Sequence, residues 1–306
     1  MPDWGTQAIS QAFKTSHSHP PPHPRPLQNH PPHPLNRLHP LILTSRRISG
    51  LQETTAACKA INPNLHIEII GSDTTSAESI SSLAEKITSI FGRLDIVVVN
   101  SGSSGGPVVT DITQTDPTHI PQRYECELHR NVLLRQIYLI PLLLLPSSSP
   151  SQQEQENDLD SNKHQTQNEA AKKSFIMTSS LATLLLRGPI ANTQYCVSKC
   201  AQLKLLEHIH EQFFPRGINC FAVHPGAVLS EMADETTPDE FRPYLTDSPD
   251  LCGAFCVWLS SQKGEGRDKG WLSGRLVNAK WDVDELEGMK EEIVEKDALK
   301  LRLSLP

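Results

Sequence analysis

The 306-residue chain has no apolar run long enough to cross a bilayer; its longest, 137–145, is too short and contains Pro141. An excess of positive charge is missing too. Lys and Arg number 28 against 35 Asp and Glu, a net charge of -7, and no basic patch overrides it, which argues against a nucleic-acid partner. Cysteine is sparse, seven in all and without paired framework spacing, so the thiols read as reduced and the chain as cytoplasmic. Cys196/Cys200 and Cys252/Cys256 stand at i,i+4, but no His or carboxylate cluster accompanies them, so they read as small helix-face side chains and no metal is expected. The opening Met1-Pro2-Asp3-Trp4 lacks the charged start and apolar core of a secretory signal. These absences leave a soluble chain with room for one large α/β domain or two small ones.

What is present centres on Tyr195-Cys196-Val197-Ser198-Lys199. Tyr and Lys four residues apart share one helix face, where the ammonium can stabilise a phenolate. A phenol so placed can exchange a proton with a carbinol or carbonyl oxygen. A serine hydroxyl nearby, from Ser179-Ser180, can hold the same oxygen. Taken alone, Tyr-x-x-x-Lys is a weak signal, because most such pairs are a lysine stem packed on a ring.

The surroundings sharpen it. Ser174–Ser180 is an apolar run ending in hydroxyls and reads as a buried strand; a helix with Val197, Ala201, Leu205, Leu206, Ile209 and Phe213 on its apolar face follows. Next come a strand over Ile218–Val223 and the turn His224-Pro225-Gly226-Ala227-Val228-Leu229-Ser230. In this order and spacing the chain resembles the short-chain dehydrogenase/reductase family from about Leu41 to Asp282. Leu272-Ser273-Gly274-Arg275-Leu276-Val277-Asn278-Ala279-Lys280-Trp281-Asp282 is similar to the last strand of its fungal branch. The resemblance implies an α/β fold, a single Rossmann-like doubly wound, mostly parallel sheet. It implies an oxidoreductase that interconverts a carbonyl and an alcohol by hydride transfer with a nicotinamide dinucleotide and acts on a small molecule. By position Tyr195 is the proton donor or acceptor, Lys199 its partner and ribose contact, Ser180 (Ser179 staying open) the residue that orients the substrate, and Asn131 a relay residue. Pro225, Gly226, Val228 and Ser230 would line the cofactor, as would Asn100 and Gly102 in Asn100-Ser101-Gly102 and Asp73 beside the adenine.

The end of the first recognisable strand bears on cofactor choice. Family members that prefer NAD carry an acid there; Ser45-Arg46-Arg47 offers a hydroxyl and guanidinium groups, which match a 2′-phosphate in charge and geometry, so NADP is expected over NAD.

The front end departs from the family. Residues 1–15 contain a remnant of the first cofactor-binding helix, Gln7–Lys14, preceded only by Gly5 where members carry a strand and a Gly-rich loop. That loop and the helix N-terminus supply the backbone donors for a pyrophosphate, so the sequence as written is expected to hold the cofactor poorly. Residues 16–40 form a Pro-rich tract with six histidines, of low complexity and without regular structure. An impaired family member, or a misdrawn gene model that binds cofactor poorly, is the alternative reading. The Rossmann domain is expected over 41–282, with a Ser/Gln/Asn/Glu-rich insertion over 146–173 and a helical tail over 283–306 suited to contacts in a homo-oligomer. Other helices are expected over Ser49–Ala60, Ser76–Phe91 (Ile80, Leu83, Ile87 and Ile90 inward), Tyr124–Leu145 and Pro249–Ser260. Strands are expected over His66–Ile70 and Leu94–Asn100, the latter buried on both faces.

Overall fold

The computed structural model describes residues 40–100, 134–146, 172–186, 193–230, 242–261 and 268–303, with single positions 233, 237 and 239. The first-helix remnant, nearly all of the His/Pro tract, Gly102, Asn131 and residues 147–171 lie outside the described residues.

Strands and helices alternate: β1 (Leu41–Ser45), α1 (Ile48–Ile61), β2 (Ile67–Gly71), α2 (Ala77–Phe91), β3 (Ile96–Val99), α3 (Leu134–Leu143), β4 (Lys173–Thr178), α4 (Thr193–Phe213), β5 (Ile218–His224), α5 (Pro249–Ser260) and β6 (Arg275–Asn278). Two short helices, α6 (Val283–Gly288) and α7 (Lys290–Glu295), follow β6. Among the described residues the strands form two parallel ladders, β1-β2 and β3-β4-β5-β6, with no described strand joining them. Both feed one core: Ile70 of β2, Val97 and Val99 of β3, Phe175 of β4 and Cys220 of β5 are buried in the same cluster. This is the doubly wound α/β arrangement that strand–helix alternation dictates.

Local chemistry explains the elements. Ser76 caps α2 by accepting from the Ser79 amide, and Gly92 closes it in the left-handed conformation at φ 73°. Between them Ile80, Leu83 and Ile87 are buried, each contributing roughly 1.5–3 kcal/mol. Ile90, expected on that face, is 47% exposed because the helix ends at the next residue and its last turn passes the core. Opposite α2, the second face of the sheet is covered by α5, α6 and α7. Phe221, Phe255, Leu259, Leu272 and Ile293 form a second cluster there.

Three expectations need correction. β3 alternates instead of being buried throughout: Val97 and Val99 are buried, whereas Ile96 and Val98 are about half exposed. Its neighbours among the described residues lie on one side only, in β4, and α3 covers one face. The 146–173 insertion ends early, because Lys173 already belongs to β4, where its ammonium reaches Asp95 and the Leu94 carbonyl. The tail is two short helices with a turn at Asp297 and Leu299, both at positive φ. Its Leu286 and Ile293 are buried in this chain's own second cluster, so that face is already covered.

Candidate active site

In parallel ladders the carboxyl ends of the strands line one edge, and the loops leaving them are where α/β proteins build sites. Ser45 ends β1 and Arg46 follows it, Asp73 follows β2, Asn100 follows β3, Ser179 and Ser180 follow β4, and Pro225 to Ser230 follow β5. Tyr195 and Lys199 come from the first turns of α4, which packs on the short 3₁₀ turn Leu181–Leu184 after β4.

The buried stripe of α4 runs through Ser198, Lys199, Gln202, Leu203, Leu206 and Ile209. Its lower half is apolar core apart from Glu207, which pairs with Lys204 and Arg302. At its upper end the stripe carries Lys199, only 4% exposed, and Gln202. Lysine is rarely buried without a purpose, because its ammonium must be compensated. Here Nζ donates to Gln202 Oε1 at 3.1 Å and lies 5.5 Å from the centroid of the Tyr195 ring. The i,i+4 spacing thus does bring phenol and ammonium together, with the tyrosine half-buried.

Ser180 accepts from the Ala182 amide at 3.1 Å and caps the 3₁₀ turn, which fixes the hydroxyl beside α4. Ser179 is buried behind it; its amide donates to the Val223 carbonyl and its hydroxyl has no hydrogen-bond partner among the described residues. A tight 3₁₀ turn over Leu181–Leu184 begins the link from Ser180 to α4.

His224, which no motif spacing singles out, backs this turn. Its Nδ1 accepts from the Leu181 amide at 3.3 Å, so the ring is neutral with its proton on Nε2. Burial is the main cause that lowers its pKa to about 4, with Asp247 acting to raise it and Lys280 to lower it. The unfolded chain binds a proton here near pH 6.5, whereas the folded chain does so only near pH 4. Stability conferred by the neutral ring is thus full above pH 6.5 and drains away as pH falls toward 4. His224→Gln keeps an acceptor but cannot titrate. Urea unfolding should show the parent's stability loss between about pH 7 and pH 5 shrinking by roughly 2 kcal/mol in that variant; an unchanged loss would count against the buried neutral ring.

At the other predicted contacts, Asn100 accepts from Thr178 Oγ1 at 2.8 Å, tying the ends of β3 and β4. Asp73 Oδ1 accepts from the Thr75 amide and hydroxyl at 2.9 and 2.8 Å, shaping the approach to α2. The Ser45 hydroxyl accepts from the Arg47 amide at 3.3 Å; Arg46 and Arg47 are exposed. Gly226 sits at φ +99°. The Ser230 amide donates to the Val228 carbonyl at 2.9 Å, and the Ser230 hydroxyl accepts from the Ala233 amide.

No family model matches the chain. Relatives matching most of its length do. The chain is 31% identical over 274 residues to the short chain dehydrogenase pgmD of Aspergillus terreus, covering 87% of this chain and 78% of that one. The chain belongs to the short-chain dehydrogenase family. The short chain dehydrogenase citE of Monascus ruber is likewise 31% identical over 268 residues, 87% of this chain and 80% of that one. As a short-chain dehydrogenase, the protein is an oxidoreductase by kinship, and the fold agrees. Levodione reductase superposes with a TM-score of 0.60 at 16% identity over 78% of this chain and 85% of that one. An NADPH-bound short chain oxidoreductase from Pseudomonas aeruginosa PAO1 does so with a TM-score of 0.59 at 15% identity, over 78% and 84%. No described helix of this short-chain dehydrogenase is long and apolar enough to cross a membrane.

Proposed function

We propose that the chain works in the cytoplasm and interconverts a carbonyl and an alcohol on a small molecule with NADP as cofactor. The observation that carries this reading is the buried ammonium of Lys199 beside the Tyr195 ring, on the helix that supports the Ser180 turn. The pair brings a proton-bearing phenol and a held cation to the edge where the Ser180 hydroxyl stands, the groups that proton exchange with a carbonyl or carbinol oxygen calls for.

Tyr195 exchanges its hydroxyl proton with the substrate oxygen. Ser180, held at its turn, donates a hydrogen bond to the same oxygen and sets its position. Lys199 stands beside the phenol and would hold the cofactor ribose, and Gln202 fixes the lysine head. Asn131 is assigned the proton relay from sequence position alone. Bound NADP supplies or removes the hydride.

The described residues suit this group at both ends. Arg46 and Arg47 are exposed and offer guanidinium groups to a 2′-phosphate; Ser45 precedes them at the end of β1, and Asp73 comes after the neighbouring strand β2. At the nicotinamide end the loop Pro225–Ser230 leaves β5 with Gly226 at φ +99°, while Asn100 and Gly102 come after β3 in the chain. Solved neighbours with NADPH or NADP bound support the choice of phosphate-bearing cofactor.

Calorimetric titration with NADPH and NADH tests it. NADPH should bind at least roughly tenfold more tightly than NADH, and Arg46→Ala with Arg47→Ala should erase most of that ratio, because charge-assisted bonds to a phosphate are lost. Equal affinity for both nucleotides, or preference for NADH, would sink the NADP assignment.

A further inference from the structure

Beyond the carboxyl ends of β5 and β6 lies a group of charged contacts that the proposed reaction does not use. The lead-in to α5 brings Asp247 onto the turn that leaves β5. Its backbone amide donates to the Ala227 carbonyl at 3.0 Å, while its Oδ2 accepts from the Ala227 amide at 2.6 Å. One residue therefore satisfies both polar groups of Ala227. The other carboxylate oxygen, Oδ1, pairs with Lys280 Nζ at 3.1 Å, and the Asp247 side chain is only 12% exposed. The Lys280 side chain is 42% exposed, so the carboxylate is shielded while its cation reaches water, and the worth of the latch lies chiefly in the two backbone bonds to Ala227.

Gly226 shows how close the approach is. A Cβ at that position would sit 2.9 Å from Asp247 Oδ2, and the backbone has φ +99°, so glycine is required twice over. Lys280 is anchored as well: the preceding Ala279 donates its amide to the His224 carbonyl at 3.0 Å, stitching the exit of β6 to the end of β5. Three segments far apart in sequence thus meet on one carboxylate.

We propose that Asp247, locked by Lys280, is a positioning residue of the redox site, which sets the conformation of the Pro225–Val228 turn that receives the nicotinamide end of the dinucleotide. This rests on the dinucleotide reading above for what the turn receives, though the latch itself does not. Asp247 touches no reacting atom; it acts through the backbone of Ala227.

Two measurements on the full chain test the latch and the docking role separately. Hydrogen exchange without nucleotide reads the latch: peptides over 225–230 should exchange slowly in the parent, much faster in Asp247→Ala, and at an intermediate rate in Lys280→Met, while peptides within β5 stay protected in all three. NADPH titration and steady-state kinetics read the docking role. Asp247→Ala should weaken NADPH and lower kcat, each on the order of 10-fold to 100-fold, as a displaced positioning element does. Asp247→Asn, which keeps an acceptor for Ala227, should recover most of both.

Parent-like exchange over 225–230 in Asp247→Ala overturns the latch. Faster exchange with unchanged NADPH affinity and kcat overturns the positioning role. A parent that binds neither nucleotide refutes the dinucleotide reading and the docking role with it, and exchange alone then judges the latch.

Discussion

Replacing Tyr195 with Phe should lower kcat by on the order of 10²–10⁴ while leaving NADPH affinity within about twofold, the range that loss of a positioned general acid or base produces. The ring remains, so the half-buried aromatic surface and its contact with the Lys199 ammonium stay in place. Only the hydroxyl is removed, and with it the proton for the substrate oxygen. Lys199→Ala should behave differently. Its ammonium is buried, bonded to Gln202 and packed on the Tyr195 ring, so its loss removes compensation for the phenolate and the proposed ribose contact together. Both kcat and NADPH affinity should fall. Single-turnover hydride transfer, paired with calorimetry, separates the two variants. A Tyr195→Phe variant that turns over like the parent would remove the phenol from the mechanism, and a lysine variant with intact cofactor affinity would remove the ribose role.

The parts of this protein that sequence makes legible are those fixed by near neighbours. Tyr195 and Lys199 meet because a helix places i and i+4 together, and Ile80, Leu83 and Ile87 are buried because their period is helical. Gln202 is legible in the same way, three residues beyond Lys199 on the same stripe, yet an amide in a helix carries no signal until the lysine beside it is known to be buried. Asp247 and Lys280 cannot be found so. Asp247 meets an amide 20 residues away, and its ion-pair partner follows a different strand. The exposure of Ile96 and Val98 escapes for a related reason: β-branched apolar residues suit a strand with one covered face as well as one with two, and which neighbours cover it is a tertiary fact.

The same limit hides Lys173, whose partner is 78 residues distant and which therefore reads as the end of a polar insertion. In the folded chain its side chain is 10% exposed, and its ammonium bonds to Asp95 and to the Leu94 carbonyl at the start of β3. Burial works to raise the Asp95 carboxyl, but the hydrogen bonds and charges of Lys173 and Arg93 outweigh it and hold its pKa below the ordinary value. Stability from this carboxylate is thus present above its unfolded pKa and lost as pH falls through the lower folded one. Asp95→Ala should cost about 2–3 kcal/mol in urea unfolding near neutral pH, because it strands a buried ammonium on one carbonyl. That lies somewhat below the cost for a fully buried pair, since Asp95 is 41% exposed and water can enter. Arg93, itself bonded to Asp95, cannot replace the lost carboxylate. Removing the charge as well should reverse much of the damage. Lys173→Met fills similar volume without a charge to compensate, so Asp95→Ala with Lys173→Met should be more stable than Asp95→Ala alone by at least about 1 kcal/mol, as buried ion pairs replaced by apolar side chains behave. A double variant no more stable than Asp95→Ala would mean that the lysine finds water or another acceptor, and that the pair does not hold β3 to β4.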